Sequence, residues 1–120
     1  MTLDPDQWFT EPCKEGGSAF SMKVHEKLHD EQTGFQRIEI YATEFFGNLM
    51  VIDGFVMLTA RDNFLYHEMM AHPALFSHPD PRQVVVIGGG DCGTLREVMQ
   101  HPGIEHCLQV EIDERVTRLA

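Results

Sequence analysis

The feature that most constrains the fold is a glycine-rich turn placed between an apolar run and a helical pattern. Residues 84–87 are all Val or Ile and lead into the turn at residues 88–93, which reads GGGDCG. Residues 94–99 have the apolar spacing of a helix, and a second apolar run follows at 108–112. The order strand, glycine turn, helix, strand predicts the βαβ unit that opens a nucleotide-binding α/β sheet.

The spacing around this turn is that of a nucleoside site. Gly88, Gly90 and Gly93 fit the pattern G-x-G-x-x-G, and Glu111 lies eighteen residues beyond Gly93. Glycines allow a tight turn and a close approach of the ligand, and an acid at the tip of the second strand can accept hydrogen bonds from both ribose hydroxyls. The alternative interpretation is a purely structural βαβ turn.

Asp91 bears on the class of ligand. In a dinucleotide site the diphosphate lies against the helix N-terminus, where a carboxylate would repel it. A carboxylate there suits a ligand that carries an ammonium group instead, as S-adenosylmethionine-type compounds do. The alternative is that Asp91 only caps the helix beginning at Thr94.

Upstream of this unit, alternating apolar residues and turn signals predict a small antiparallel β-meander. Residues 1–17 are interpreted as an irregular lead-in, from which Trp8 and Phe9 are expected to dock on some other surface. Gln36 shares a strand face with Ile38 and Ile40 and is placed to form a hydrogen bond at the sheet's end. The predicted strands are residues 19–28, 35–41, 48–52 and 55–59, with turns at 29–34 and at Asp53-Gly54.

The pattern changes to helix and parallel strands near Asp62, which is a plausible N-cap for a helix from Asn63 to about Phe76. Pro73 is expected to kink this helix or begin a new turn. Residues 114–120 begin a second helix. The sequence therefore predicts two domains, 1–61 and 62–120. The predicted apolar stripe of the first helix comprises Phe64, Tyr66, His67, Met70, Ala71 and Ala74.

Bulk properties exclude several classes of function. The net charge of −10 and the pI near 4.9 argue against a nucleic-acid partner and are compatible with a cationic small molecule.

The cysteines and histidines bear on the compartment and on metal binding. The three cysteines, Cys13, Cys92 and Cys107, are odd in number and widely spaced, so they are expected to be free thiols in a reducing compartment. No HxH or HxxxH pair has a nearby acid, so no metal site is predicted. Without a leader or an apolar run of about 18 residues, the expected location is cytoplasmic, with no membrane contact.

Several separated segments together resemble one family. The runs VVVIGGGDCGTLREV and VEID, preceded by LVIDG-like and LTARDNFLYHEMMAH segments, are similar to the spermidine synthases, the polyamine aminopropyltransferases. The resemblance implies a small N-terminal antiparallel β-domain followed by the first βαβ part of a Rossmann-like, methyltransferase-type α/β domain, here truncated. It also implies a dimer or tetramer, no metal and no prosthetic group. The implied reaction moves an aminopropyl group from decarboxylated S-adenosylmethionine to putrescine, giving spermidine and methylthioadenosine.

The resemblance also implies roles for individual residues. Without it, Tyr66 and His67 would be interpreted as ordinary helix residues. With it, three sets follow: nucleoside and donor binding by Gln36, Gly88, Gly89, Gly90 and Glu111; the polyamine side formed by Tyr66 and His67; and amine binding by Asp91.

Three features depart from the family pattern or leave it incomplete. Cys92 stands where many members have glycine, and Met57 where many have glutamine. The general-base aspartate is expected beyond residue 120, so the chain is expected to be a fragment that is inactive by itself. Two other hypotheses remain: a fragment of an NAD-dependent dehydrogenase, which Asp91 disfavours, and a non-catalytic module that self-associates through an exposed sheet edge.

Overall fold

The computed structural model of the protein describes residues 3–120. The chain forms two compact units, the first ending at Asp62 and the second running from Asn63 to Ala120. The first unit is all β and the second is α/β, as the sequence predicts.

The first unit is a five-stranded antiparallel sheet whose strands are hydrogen-bonded in chain order. The second strand is long enough to pair with the first strand through residues 18–23 and with the third through residues 24–32. The strands are β1 (Trp8–Cys13), β2 (Ser18–Gln32), β3 (Arg37–Thr43), β4 (Asn48–Ile52) and β5 (Phe55–Thr59).

Two predictions for this unit are wrong. The lead-in is not irregular, because it contains β1, an edge strand on which Pro12 is tolerated since only one side must pair; residues 1 and 2 lie outside the described part. The turn predicted at 29–34 begins too early, because β2 continues to Gln32. Residues 29–32 are all polar, so they lack apolar alternation although their backbone is fully paired with β3.

The core of the first unit lies on one face of the curled sheet. Met22, Leu49 and Val51 are buried there and are surrounded by partly buried aromatic and aliphatic side chains. The backbone N–H of Val56 on β5 donates to Oε2 of Glu11 on β1, at 2.7 Å, which links the first and last strands of the sheet. The sheet therefore curls far enough to enclose its own core.

The predicted hairpin turn between β4 and β5 is confirmed. Asp53 and Gly54 have φ of 51° and 84°, and positive values at both central positions belong to the turn type that matches strand twist. The Asp53 carboxylate also accepts the Arg37 N–H at 2.8 Å.

The second unit contains the predicted βαβ arrangement. Its two strands are parallel neighbours with the register Val84 to Cys107 and Val86 to Gln109. The elements are α1 (Asn63–Ser77), β6 (Gln83–Ile87), α2 (Gly93–Val98), β7 (His106–Val110) and α3 (Glu114–Leu119). Asp113 caps α3 by accepting the Arg115 N–H at 3.0 Å.

Helix α1 buries a narrower stripe than predicted. Its buried residues are His67, Ala71 and Leu75, which recur every four positions along one face. The predicted stripe members Phe64, Tyr66, Met70 and Ala74 are exposed instead. The helix also passes through Pro73 rather than restarting there. Met69, whose carbonyl loses its usual donor to the proline, is exposed to solvent, which can take the donor's place.

The parallel strands of this unit are covered on one face only. Ala71, Leu75 and Val98 form a core against which the inward side chains of the strands pack. On the opposite face Val85 and Ile87 are 62% and 88% exposed. Among the described residues, no helix is long and apolar enough to span a membrane.

Candidate nucleoside and amine site

The glycine turn joins β6 to α2 in a conformation that needs glycine. Gly88 and Gly89 have φ of 79° and 69°, values that other residues adopt only with strain. The Gly88 N–H donates to the Val110 carbonyl at 2.7 Å, which carries the strand pairing one residue beyond β6. The Cys92 N–H donates to the Gly89 carbonyl at 2.8 Å and closes the turn.

Glu111 lies at the end of β7 and reaches back to this turn. Its Oε2 accepts the Gly90 N–H at 2.9 Å, and its Oε1 accepts the Asp113 N–H at 3.0 Å. A Cβ on residue 90 would lie 2.7 Å from that same Oε2, so only glycine permits the approach. Both oxygens are thereby oriented, and each retains a lone pair with which a diol could form hydrogen bonds.

Cys92 occupies a strained position. It has φ of 64° at the N-cap of α2 and forms no side-chain capping hydrogen bond. Its Sγ contacts the Gly90 carbonyl and Gln109 Nε2, both at 3.5 Å. Because the cap residue is Cys92, the interpretation of Asp91 as the helix cap is wrong.

Asp91 instead faces His67 of α1. Its Oδ2 lies 2.5 Å from Nε2 of His67, a side chain that is only 1% exposed. The His67 ring packs directly on Gly93, where an added Cβ would lie 2.0 Å from Cε1 and 2.2 Å from Nδ1. The third glycine of the pattern is therefore required by the histidine that lies above it.

Asp91 lies within ion-pair distance of His67, but the contact does not have hydrogen-bond geometry. Both ring nitrogens of His67 are buried without a hydrogen-bond partner among residues 3–120, and so is Oε1 of Gln109. These are all the buried side-chain polar atoms in that range that lack such a partner, and both side chains contact residues 91–93 of the turn. Buried polar groups are normally paired, so the unmet groups mark where a ligand or solvent is expected.

The remaining predicted site residues lie farther from this cluster or in the first unit. Tyr66 is 53% exposed on α1, with its ring centroid 5.4 Å from that of His67. Gln36 is half-buried just before β3, where its backbone carbonyl and N–H both bond Thr33. Met57 is exposed on β5.

The largest pKa shifts occur in a separate network of charged side chains in the first unit. Lys27 Nζ lies 2.8 Å from Asp30 and 2.6 Å from the buried carboxylate of Glu39. These bonds, Asp30 first, raise the pKa of Lys27, and the Arg37 guanidinium followed by Lys27 lowers the pKa of the Asp30 carboxyl. Tyr41 also donates to Glu39 at 2.8 Å. Because every member is paired, this network is structural.

Sequence reasoning identified Asp91, Gly93 and His67 separately but missed their contact. His67 and Gly93 are 26 positions apart, and nothing in helical periodicity shows that an imidazole will pack on a particular glycine. The sequence signal that could have indicated this contact is a histidine in one helix together with a glycine at the first position of the next helix.

Comparison with known families covers both units. The model of the spermidine synthase tetramerisation domain matches residues 7–60, and that of the spermine/spermidine synthase domain matches residues 63–120. The two boundaries lie beside the division between the structural units.

Individual relatives agree with these matches. A polyamine aminopropyltransferase of Nitrosococcus oceani is 70% identical over all 120 residues, which cover 42% of that protein, and one of Thioalkalivibrio sulfidiphilus is 66% identical over the same length, covering 41%. The chain thus spans about two fifths of the length of the curated relatives it matches.

Solved structures show the same fold. A spermidine synthase in complex with the transition-state analogue AdoDATO superposes with a TM-score of 0.86 at 39% identity, covering 92% of this chain and 38% of that one. Spermidine synthase from Thermotoga maritima gives a TM-score of 0.85, also at 39% identity, covering 92% and 39%. The predicted fold is confirmed. The chain belongs to the spermidine synthase family and corresponds to the N-terminal part of a family member.

Proposed function

We propose that the protein of which this chain is the N-terminal part is a polyamine aminopropyltransferase. It would transfer an aminopropyl group from decarboxylated S-adenosylmethionine to putrescine, giving spermidine and methylthioadenosine. The names of the relatives support this reaction, and so does the analogue bound to the similar solved enzyme. The observation in this chain that most directly supports the proposal is the position of the Asp91 carboxylate, which lies in the glycine turn against the buried His67.

The donor's adenosine half would lie along the glycine turn. The oriented oxygens of Glu111 would accept hydrogen bonds from the two ribose hydroxyls, and the backbone of residues 88–90 would lie against the nucleoside. We assign Gln36 to the same donor by resemblance. The Asp91 carboxylate would repel a diphosphate at the N-terminus of α2, which disfavours a dinucleotide.

The donor's amine end would meet Asp91. A carboxylate binds an ammonium by a charge-assisted hydrogen bond, about twice as strong as a neutral one. His67 would act by positioning: its ring packs on Gly93 and meets the Asp91 carboxylate, which limits the orientations open to it. Tyr66 would offer an aromatic face to the acceptor amine.

The reaction itself is a displacement at carbon. The neutral amine nitrogen of putrescine forms a bond to the propyl carbon next to the sulfonium, the carbon–sulfur bond breaks, and its electron pair goes to sulfur, which leaves as methylthioadenosine. The amine nitrogen then loses a proton. Alignment of nucleophile and electrophile supplies most of the effect for such a step. We place the group that receives the proton beyond residue 120.

The assembly is also a proposal. Because the first unit matches a tetramerisation domain, we infer that the complete protein is a homo-oligomer, a dimer or tetramer, held in part by residues 7–60. Light scattering of the complete protein should give a mass of at least two chains, and a monomer at micromolar concentration would contradict this.

Aminopropyl transfer by the complete protein, measured as spermidine formation by mass spectrometry, tests the function. Asp91→Asn should lower kcat/KM by about 100-fold or more, because a charge-assisted contact at the amine is lost. Glu111→Gln should mainly raise the KM for the donor. The matched controls are Asp80→Asn and Glu105→Gln, which replace exposed carboxylates of the same unit.

Calorimetric titration separates the alternatives. Methylthioadenosine should bind to the protein and NAD should not. Tight binding of NAD, or full activity of Asp91→Asn, would overturn the proposed function.

A further inference from the structure

A second cluster of ligand-type side chains lies on the second unit, where α1 crosses α2. Glu68 and His72 are one helical turn apart on α1, and Glu97 is on α2. One ligand atom from each of the three lies within 4.8 Å of the other two. Histidine spacing in the sequence predicts no metal site, whereas this cluster is assembled from two helices.

The distance between His72 and Glu97 suits a bridging metal ion better than a direct ion pair. Nε2 of His72 lies 3.5 Å from Oε2 of Glu97. A charge-assisted hydrogen bond would be about 2.7–2.9 Å long. Two ligands each about 2.1 Å from a tetrahedral zinc ion lie about 3.4 Å apart.

The surroundings orient both groups. Nδ1 of His72 shares a hydrogen bond with Nε2 of His101 at 2.9 Å, and with Nδ1 as donor the lone pair of His72 Nε2 faces Glu97. A partner on the far ring nitrogen is the usual companion of a metal-binding histidine. Glu97 is 4% exposed, and its carboxylate is held by Arg96 at 2.9 Å and by Gln100 at 2.5 Å. Arg96 pairs with Oε1 of Glu97, and in this tautomer a cation between Oε2 of Glu97 and Nε2 of His72 would replace the unfavourable contact of a carboxylate with a lone pair.

We propose that Glu68, His72 and Glu97 bind a divalent first-row transition ion, with Zn²⁺ as the best match. One imidazole and two carboxylates form a nitrogen–oxygen ligand set that zinc accepts in tetrahedral geometry, and water completes the fourth position. Two carboxylates neutralise the charge of the ion, and the protein's net charge of −10 favours the approach of cations. The ion would join α1 to α2, and the proposal does not depend on the reaction proposed above.

Calorimetric titration of chelator-treated protein with ZnCl₂ tests the site. Wild type should bind one ion per chain. His72→Ala and Glu68→Gln should each lower the affinity at least tenfold, and His101→Ala about 10- to 100-fold through loss of the orienting bond. His106→Ala, which removes an exposed histidine of the same unit, should leave the affinity unchanged. Glu68 is exposed, so its variant tests the site without disturbing the core.

Two further readouts distinguish a metal site from the competing arrangement, in which a protonated His72 simply pairs with Glu97. Zinc should raise the Tm of wild type but not of Glu68→Gln, and Co²⁺ should give the intense visible absorption of a tetrahedral site. Absence of zinc binding, or equal binding by wild type and His72→Ala, would overturn the proposal.

Discussion

The two units of this chain differ in how completely each covers its own sheet. In the first unit Val51 is fully buried on β4, and the Glu11–Val56 hydrogen bond links the outer strands. In the second unit Val85, at the centre of β6, is 62% exposed. Parallel sheets are normally covered on both faces, because their crossover helices lie on either side. An antiparallel meander can curl over its own core, whereas a βαβ unit covers only one face of its strands.

The largest expected effect on stability is at the contact between Gly93 and the His67 ring in the second unit. Gly93→Ala should destabilise this unit by about 3 kcal/mol, because the new Cβ would overlap the buried His67 ring. Hydrogen exchange measures the unfolding free energy of each unit separately. Gly54→Ala in the first unit, where the space is open but φ is 84°, should cost only about 1 kcal/mol.

A double-mutant cycle checks the cause. In a His67→Ala background the overlap is gone, so Gly93→Ala should cost much less than in wild type. Equal costs in both backgrounds would mean that the backbone of α2, and not the histidine, demands glycine.

The second prediction compares the same substitution in the two sheets. Val51→Ala should destabilise the first unit by about 2 kcal/mol, from lost burial and the cavity it leaves. Val85→Ala should change stability by less than about 0.5 kcal/mol. Chemical denaturation followed by Trp8 fluorescence reports the first unit, and hydrogen exchange reports the second. A large cost at Val85 would show that its face is covered in solution.

A smaller effect is expected at Cys92. Both Cys92→Ala and Cys92→Gly lose the Sγ contacts, but only glycine relieves the positive φ. We expect Cys92→Gly to be more stable than Cys92→Ala by about 1 kcal/mol in thermal unfolding. If alanine is equally stable, the left-handed conformation of residue 92 carries no strain.

The smallest effect concerns thiol reactivity. Burial raises the pKa of the Cys107 thiol, so its reactive thiolate forms only at higher pH than in a model peptide. Mass spectrometry after iodoacetamide treatment should show the exposed Cys13 modified first and Cys107 last. The rate at Cys107 should reach half its maximum at a pH above that of the peptide, and a lower midpoint would contradict the burial.

Much of the fold was predictable because it depends on local patterns. The glycine turn, the parallel strands on either side and the Asp53-Gly54 hairpin follow from backbone preferences and from the spacing of apolar residues. The end of β2 and the presence of β1 did not, since both segments are polar or contain proline and are strands only because a neighbouring strand pairs with them. The exposed side of α1 was unpredictable for a similar reason, because apolar residues lie all around that helix.

The sequence by itself determined the ligand-type residues and their order: the glycines, Asp91 within the turn, and Glu111 at the end of the next strand. Only the tertiary structure decided which of them meet. It brought Glu111 to the N–H of Gly90 and the His67 ring onto Gly93, because strand register and helix packing set distances between residues far apart in the chain. The glycine turn thus follows from local chemistry, whereas its contacts with His67 and Glu111 depend on packing.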